Sequence, residues 1–205
     1  MRRLALSVML LMGAALSAFA GDIIKEFSSR VASSSVSFDY SFTVSSDTPV
    51  TGSGGVIFQG NCYKMLASGL EIWCDGKTRW TVDHSSKEVY VEEVDAAAVD
   101  YASNPSSLIL AIGSVFTQTA SRQTTFNGKS VTEVTLVPSV SDTGLSKVVM
   151  FFSSGNVPAG AVITLDDGTK TTFSIRNYSA VPHSDQSFSY NLKGLGKSYL
   201  VTDLR

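Results

Sequence analysis

The chain has 205 residues, 43% of them hydrophobic and 17% charged, with a net charge of −2. That length suits one domain with a sizeable core. The slight acidic balance and the lack of any basic cluster exclude nucleic acid as a partner, because phosphate binding needs grouped Lys and Arg.

Arg2 and Arg3 begin a charged start, Leu4 to Leu16 form an almost unbroken apolar run, and Ala18-Phe19-Ala20 is a small-residue cleavage site. This is the pattern of a secretory signal peptide, and the apolar stretch is shorter than the roughly 20 residues a membrane span needs. Residues 1–20 are therefore expected to be removed, leaving residues 21–205 as a single domain. No cysteine stands at the new terminus Gly21, so lipid attachment is not expected and the product is read as soluble and exported.

After the leader, Asp22 is placed as the cap of a short helix whose Ile23, Ile24, Phe27 and Val31 fall on one face. Alternation then takes over. Val36, Phe38, Tyr40, Phe42 and Val44 share one side of a strand, and Ser37, Asp39, Ser41 and Thr43 the other, so one face is aromatic and the other wet. The same parity makes Val56 and Phe58, then Val89 and Val91, then Val148, Met150 and Phe152 candidate inward positions. Asp75-Gly76, Asn127-Gly128 and Asp167-Gly168 read as two-residue hairpin turns, and Ala67-Ser68-Gly69 as a three-residue loop. His84-Ser85-Ser86 lies in another connection. A second helix is capped by Asn104, opened by Pro105, built on Leu108 to Ile112 and stopped by Gly113.

These elements predict a mainly β protein with a few helices, in which one large curved antiparallel sheet has an apolar face. Either the helices and loops fill that face as an ordinary core, or their cover is incomplete and leaves a cavity for an apolar ligand. With Leu66 paired to Leu70 around the three-residue loop, Cys62 falls opposite Cys74. Their separation then permits a disulfide, the alternative being two free thiols.

Catalytic constellations are missing from the sequence. His84 and His183 lack metal-ligand spacing. Gly52-Ser53-Gly54-Gly55 precedes a strand rather than a phosphate-binding helix, and Glu92-Glu93 and Asp166-Asp167 are adjacent, so in a strand their carboxylates diverge. Asn177-Tyr178-Ser179 is a formal glycosylation triplet read as a loop. No enzyme activity, cofactor or metal is expected.

The run Gly54-Gly55-Val56-Ile57-Phe58-Gln59-Gly60-Asn61-Cys62-Tyr63-Lys64-Met65, followed by Gly69 to Trp80 with its Asp75-Gly76-Lys77-Thr78-Arg79-Trp80 turn, resembles the central hairpins of the outer-membrane lipoprotein carrier family, LolA. Later features agree in order: the strand Lys87 to Val94, the proline-opened helix, Leu136-Val137-Pro138, the Phe173 to Tyr178 ending, and Ser187-Phe188-Ser189-Tyr190 as a closing strand. The resemblance implies an incomplete β-barrel whose concave apolar face is lidded by helices. It also implies a monomeric periplasmic chaperone that takes acylated lipoproteins or lipids from an inner-membrane lipoprotein-releasing transporter to an outer-membrane acceptor. A lipid-binding or lipoprotein-binding sensor or regulatory module of the same fold is the alternative.

Where the best-known carriers have an arginine that holds the lid, this chain has Gln59, which is expected to make the lid contact without charge assistance. The acyl-chain cavity is assigned to Phe38, Tyr40, Phe42, Val56, Phe58, Trp73, Trp80, Val89, Met150 and Phe152 on the sheet, with Leu108 and Ile112 on the lid. Which way Trp73 and Trp80 point depends on the register of their hairpin.

Overall fold

The computed structural model of the protein describes residues 20–67, 69–94 and 105–205. The predicted leader up to residue 19, Ser68 of the expected loop and the helix cap Asn104 lie outside the described residues. Helix α1 (Ala20–Ala32) begins two residues before Asp22, so that residue lies within the helix and does not cap it. Ile23, Ile24, Phe27 and Val31 are all buried, as their helical spacing requires.

Strands β1 (Ser34–Ser45), β2 (Val50–Gln59), β3 (Cys62–Ala67), β4 (Leu70–Cys74), β5 (Thr78–Asp83) and β6 (Glu88–Glu93) follow in a meander. After α2 (Pro105–Ala111) come β7 (Phe116–Phe126), β8 (Lys129–Pro138), β9 (Leu145–Ser153), β10 (Val157–Leu165), β11 (Lys170–Pro182) and β12 (Leu200–Asp203). The described strands form one open twelve-stranded sheet in the order β12-β6-β5-β4-β3-β2-β1-β11-β10-β9-β8-β7. Local hairpins build both wings, and the long-range pairing of β1 with β11 joins them. The one parallel contact among these strands is β12 against β6.

Asn127 and Gly128, at φ 50° and 76°, make the expected two-residue turn between Phe126 and Lys129. The Asp75 turn is longer than expected, since the Asp75 carboxylate accepts the backbone N–H groups of Lys77 at 3.0 Å and Thr78 at 2.8 Å. The β3–β4 loop is shorter than expected. Ala67, not Leu66, pairs with Leu70, with Gly69 at φ 89°. Cys74 therefore faces Tyr63, Cys62 faces Gln59 on β2, and both thiols are free. The closing strand expected at Ser187–Tyr190 is not formed, that stretch carrying no regular secondary structure.

The one-residue difference in the loop has a larger effect on the sheet. Residues directly opposite one another share a face, so the concave side runs from Phe38 to Val56 to Met65 to Ile72. Trp73 and its partner Trp80 fall on the convex side, as do Val82, Val89 and Val91. Adding one residue to the loop would reverse every side chain beyond it.

Candidate functional site

The main core lies on the concave side, where α1 and α2 cross the sheet. Phe27 of α1 packs edge-on against Phe152 of β9, ring centroids 5.6 Å apart, which pins the helix to one end of the sheet. Gly113 lets the helices approach closely, because a Cβ there would stand 2.5 Å from the Ser28 hydroxyl oxygen. The helices roof the face without filling it, leaving a cavity of about 280 Å³ between them and the strands.

Its wall is the inward row of β1, Val36, Phe38, Tyr40, Phe42 and Val44. Val56 and Phe58 of β2 and Met65 of β3 extend it on one side. On the other side Thr171, Phe173 and Ile175 of β11 stand opposite Val44, Phe42 and Tyr40, and Ala161 and Ile163 of β10 with Val148 and Met150 of β9 continue it. Leu108, Ile109 and Ile112 form the roof with Phe27. No charged side chain lines it among the described residues.

The rings form one continuous aromatic array. Phe38–Tyr40, Tyr40–Phe42, Tyr40–Phe173 and Phe42–Phe173 have centroids 6.5, 6.4, 6.2 and 6.0 Å apart, within the range of favourable ring pairs. Tyr40 reaches across Gly54 to donate its hydroxyl to the Leu66 carbonyl at 3.2 Å. A Cβ at Gly54 would meet that carbonyl oxygen at 1.8 Å and the Tyr40 hydroxyl at 2.7 Å, so glycine is needed for this close approach. Past Phe42 the apolar face runs outward to Val44 and its partner Val50, which is 56% exposed.

Of the residues assigned to the cavity from sequence, Phe38, Tyr40, Phe42, Val56, Phe58, Met150, Leu108 and Ile112 surround it. Four do not. Phe152 is on the concave side but is sealed beneath Phe27. Trp73, Trp80 and Val89 are on the convex side, in a separate core with Val82 and Val91 under Tyr190, Leu192, Leu195 and Tyr199. Among residues the sequence reading passed over, Phe173 and Ile175 were findable by alternation with Thr171. Tyr178 was not, because it stands out of step with them.

Gln59 does not hold the helices in any contact among the described residues. Its amide donates to the Ser184 carbonyl at 3.2 Å and accepts from the Ser184 N–H at 3.1 Å, which ties down the segment leaving β11. That segment crosses the convex face. The Ser189 hydroxyl donates to Asp75 at 3.3 Å, Tyr190 packs edge-on to Trp73 at 5.8 Å, and the Tyr199 hydroxyl lies 2.7 Å from His84 Nδ1. His84 Nε2 in turn lies 3.0 Å from Glu71, which also pairs with Lys64 at 3.1 Å. His84 is thus a structural tie, and His183 is exposed. Burial pushes both thiol pKa values up, with the charge of Asp75 adding to the shift. Among the described residues no cluster of three or more His, Cys, Asp or Glu is arranged to hold a metal, and no helix is long and apolar enough to cross a membrane.

The sequence profile of the family described as outer membrane lipoprotein carrier protein LolA matches residues 68–191, more than half of the chain. The chain belongs to the LolA family. A comparison against curated protein sequences finds no significant match. Among solved structures, an uncharacterized conserved protein from Thermus thermophilus is similar over 90% of this chain and 98% of its own, at 6% identity and a TM-score of 0.53. The LolA superfamily protein NE2245 from Nitrosomonas europaea is similar over 83% of this chain and 97% of its own, at 10% identity and TM-score 0.46. LprF from Mycobacterium bovis is similar over 83% and 97%, at 14% identity and TM-score 0.42. The likeness to the Thermus protein, at this identity, is one of fold. The LolA fold is a carrier and binding fold rather than an enzyme class, and the open curved sheet with its helical roof is that fold here.

Proposed function

We propose that this protein is a periplasmic carrier that shelters the acyl chains of lipoproteins in the cavity beneath α1 and α2. On this reading it takes its cargo from an inner-membrane transporter and delivers it to an outer-membrane acceptor. The observation that carries the reading is the cavity itself, an apolar space of about 280 Å³ lined by rings and aliphatic side chains in a chain of a lipoprotein-carrier family. The signal-like start, read from sequence, supports export.

Moving an acyl chain through water is a problem of solvation and calls for no catalytic group. Each buried methylene gains roughly 0.8 kcal/mol, so a chain of modest length is held firmly. The volume also sets a limit. An engineered cavity of about 150 Å³ holds one benzene, so the space here takes one chain segment, and several chains together require the roof to lift.

The test is to titrate the purified protein, residues 21–205, with N-phenylnaphthylamine, whose fluorescence rises in apolar surroundings, and repeat with Phe42→Asp. Saturable binding that the substitution weakens supports the cavity. Unchanged binding removes β1 from the site. Copurification from the host envelope distinguishes cargo: acylated lipoproteins support the carrier, whereas a regulator's soluble domain supports a sensor.

A further inference from the structure

The sheet is open, so it has two edges, and they are built differently. At the β7 edge the residues between Phe116 and Phe126 are Thr, Gln, Ala, Ser and Arg, Arg122 is tied to Glu133 at 2.9 Å, and the register slips between Gln118 and Ala120. A bulge and polar side chains are devices that keep an edge from pairing with another chain. The β12 edge has neither. Leu200 and Leu204 are 62% and 61% exposed, with Val201 beside them and Tyr90 of β6, which stands opposite Thr202, also exposed. Of the eight large apolar side chains that stand exposed among the described residues, four are at this one edge.

The backbone there is half used. The Leu200 N–H donates to the Lys87 carbonyl at 2.9 Å and the Leu204 N–H to the Val91 carbonyl at 2.8 Å, so Leu200, Thr202 and Leu204 turn their backbone groups to β6. Val201 and Asp203 turn theirs the other way, to the free edge. Side chains alternate as well, which puts Leu200, Thr202 and Leu204 on one face with Tyr90. On that face the order is leucine, threonine, leucine, the same in both directions. An edge that reads alike forwards and backwards fits a second copy of itself turned about a two-fold axis.

We propose that β12 pairs antiparallel with β12 of a second copy of this chain, about a two-fold axis at Thr202, so that two sheets join edge to edge. In that register Val201 exchanges backbone hydrogen bonds with the partner's Asp203, Leu200 meets the partner's Leu204, and the two threonines face each other as a close pair about 4.5 Å apart at Cα. Moving the axis to Asp203 would set two carboxylates against each other, and moving it to Val201 would set each Leu200 against a threonine. Only the axis at Thr202 matches leucine with leucine. Five strands separate β12 from β1 and its inward row, so the pairing goes beyond the carrier reading and does not depend on it. A pairing of five residues a side falls short of the roughly 1,200 Å² of a stable complex, so the dimer is a transient one.

The experiment is sedimentation equilibrium of the protein, residues 21–205, from roughly 10 µM to 1 mM, the range of a weak association. The mass should rise with concentration toward that of two chains. Thr202→Lys and Thr202→Glu each set like charges together at the axis and should weaken association at least about fivefold. An equimolar mixture of the two sets lysine against glutamate and should associate at least as tightly as the wild type. Val201→Pro removes an N–H that faces the free edge and spares the bonds to β6, so it too should give single chains. Circular dichroism of each variant should match the wild type.

A wild type that stays a single chain across the range overturns the proposal. So does association that the substitutions leave unchanged, or a mixture that associates no better than either variant alone, since self-association would then use another surface or another register. Should a Thr202 variant lose the fold, Val201→Pro decides: single chains support the pairing, and association at the wild-type level overturns it.

Discussion

On the side of the sheet built by β1, β11 and β10, Phe38, Tyr40, Phe42 and Phe173 face a hollow, whereas on the β4 to β6 side Trp73, Trp80, Val82 and Val89 are packed beneath Tyr190, Leu195 and Tyr199. Composition does not separate the two regions, since both are aromatic and aliphatic. What separates them is the cover. The second region is closed by a strap of the same chain, tied at Gln59, Asp75 and His84, which brings its own rings to fill the space. The first is roofed by two helices that leave a hollow between themselves and the strands. An apolar face becomes a site when its cover spans it rather than filling it.

The largest contrast should come from Trp80→Ala. Emptying the filled region is expected to cost roughly 3–5 kcal/mol in chemical denaturation, with probe affinity at the cavity unchanged within about twofold. If affinity fell with stability, the two regions would be one.

A smaller effect, of order 2 kcal/mol, belongs to pH. Tyr63 sits on the concave face opposite Cys74, 2% exposed, and burial pushes its pKa up to about 12. The folded state then holds a proton that the unfolded state releases near pH 10. Stability from this group is complete below about pH 10 and is lost as pH rises toward about 12. Tyr63→Phe should flatten that alkaline decline in melting temperature, although Tyr40 and Tyr178, shifted in the same direction by burial, keep part of it.

Phe42→Asp tests the hollow region. Phe42 is only half-buried, so the denaturation midpoint should move less than for Trp80→Ala. Probe affinity is expected to fall at least about tenfold, or about 1.4 kcal/mol. The smallest effect is that of Gln59→Ala, which removes two exposed hydrogen bonds to Ser184 and should cost about 1 kcal/mol or less. It should speed amide hydrogen exchange in the strap around Ser184 and leave probe binding unchanged. Weakened binding would return Gln59 to the role of lid contact.

The sequence made much of this legible because alternation within a strand is a local signal. The row from Val36 to Val44 could be assigned to one face with no knowledge of its neighbours, and Pro105 with Gly113 marked α2 closely. Faces of different strands, however, are linked only through loops. Reading the β3–β4 loop as three residues rather than two set Cys62 opposite Cys74, and the register of that loop, which turns Trp73, Trp80 and Val89 to the convex side, cannot be found by alternation within their own strands. A bulge at Asn177, where the register slips opposite Phe38, hid Tyr178 as well, since it changes parity within a strand. Gln59 was assigned to the lid by likeness to an arginine, but an amide can both donate and accept, which suits it to a backbone segment such as Ser184.

The most direct measurement of the central claim is displacement of bound N-phenylnaphthylamine by straight-chain alcohols of increasing length. A roofed apolar cavity of this size predicts affinity that rises about fourfold with each added methylene and then levels off once the space is full. Affinity that does not depend on length, or that climbs without a plateau as adsorption to an open surface would, contradicts it.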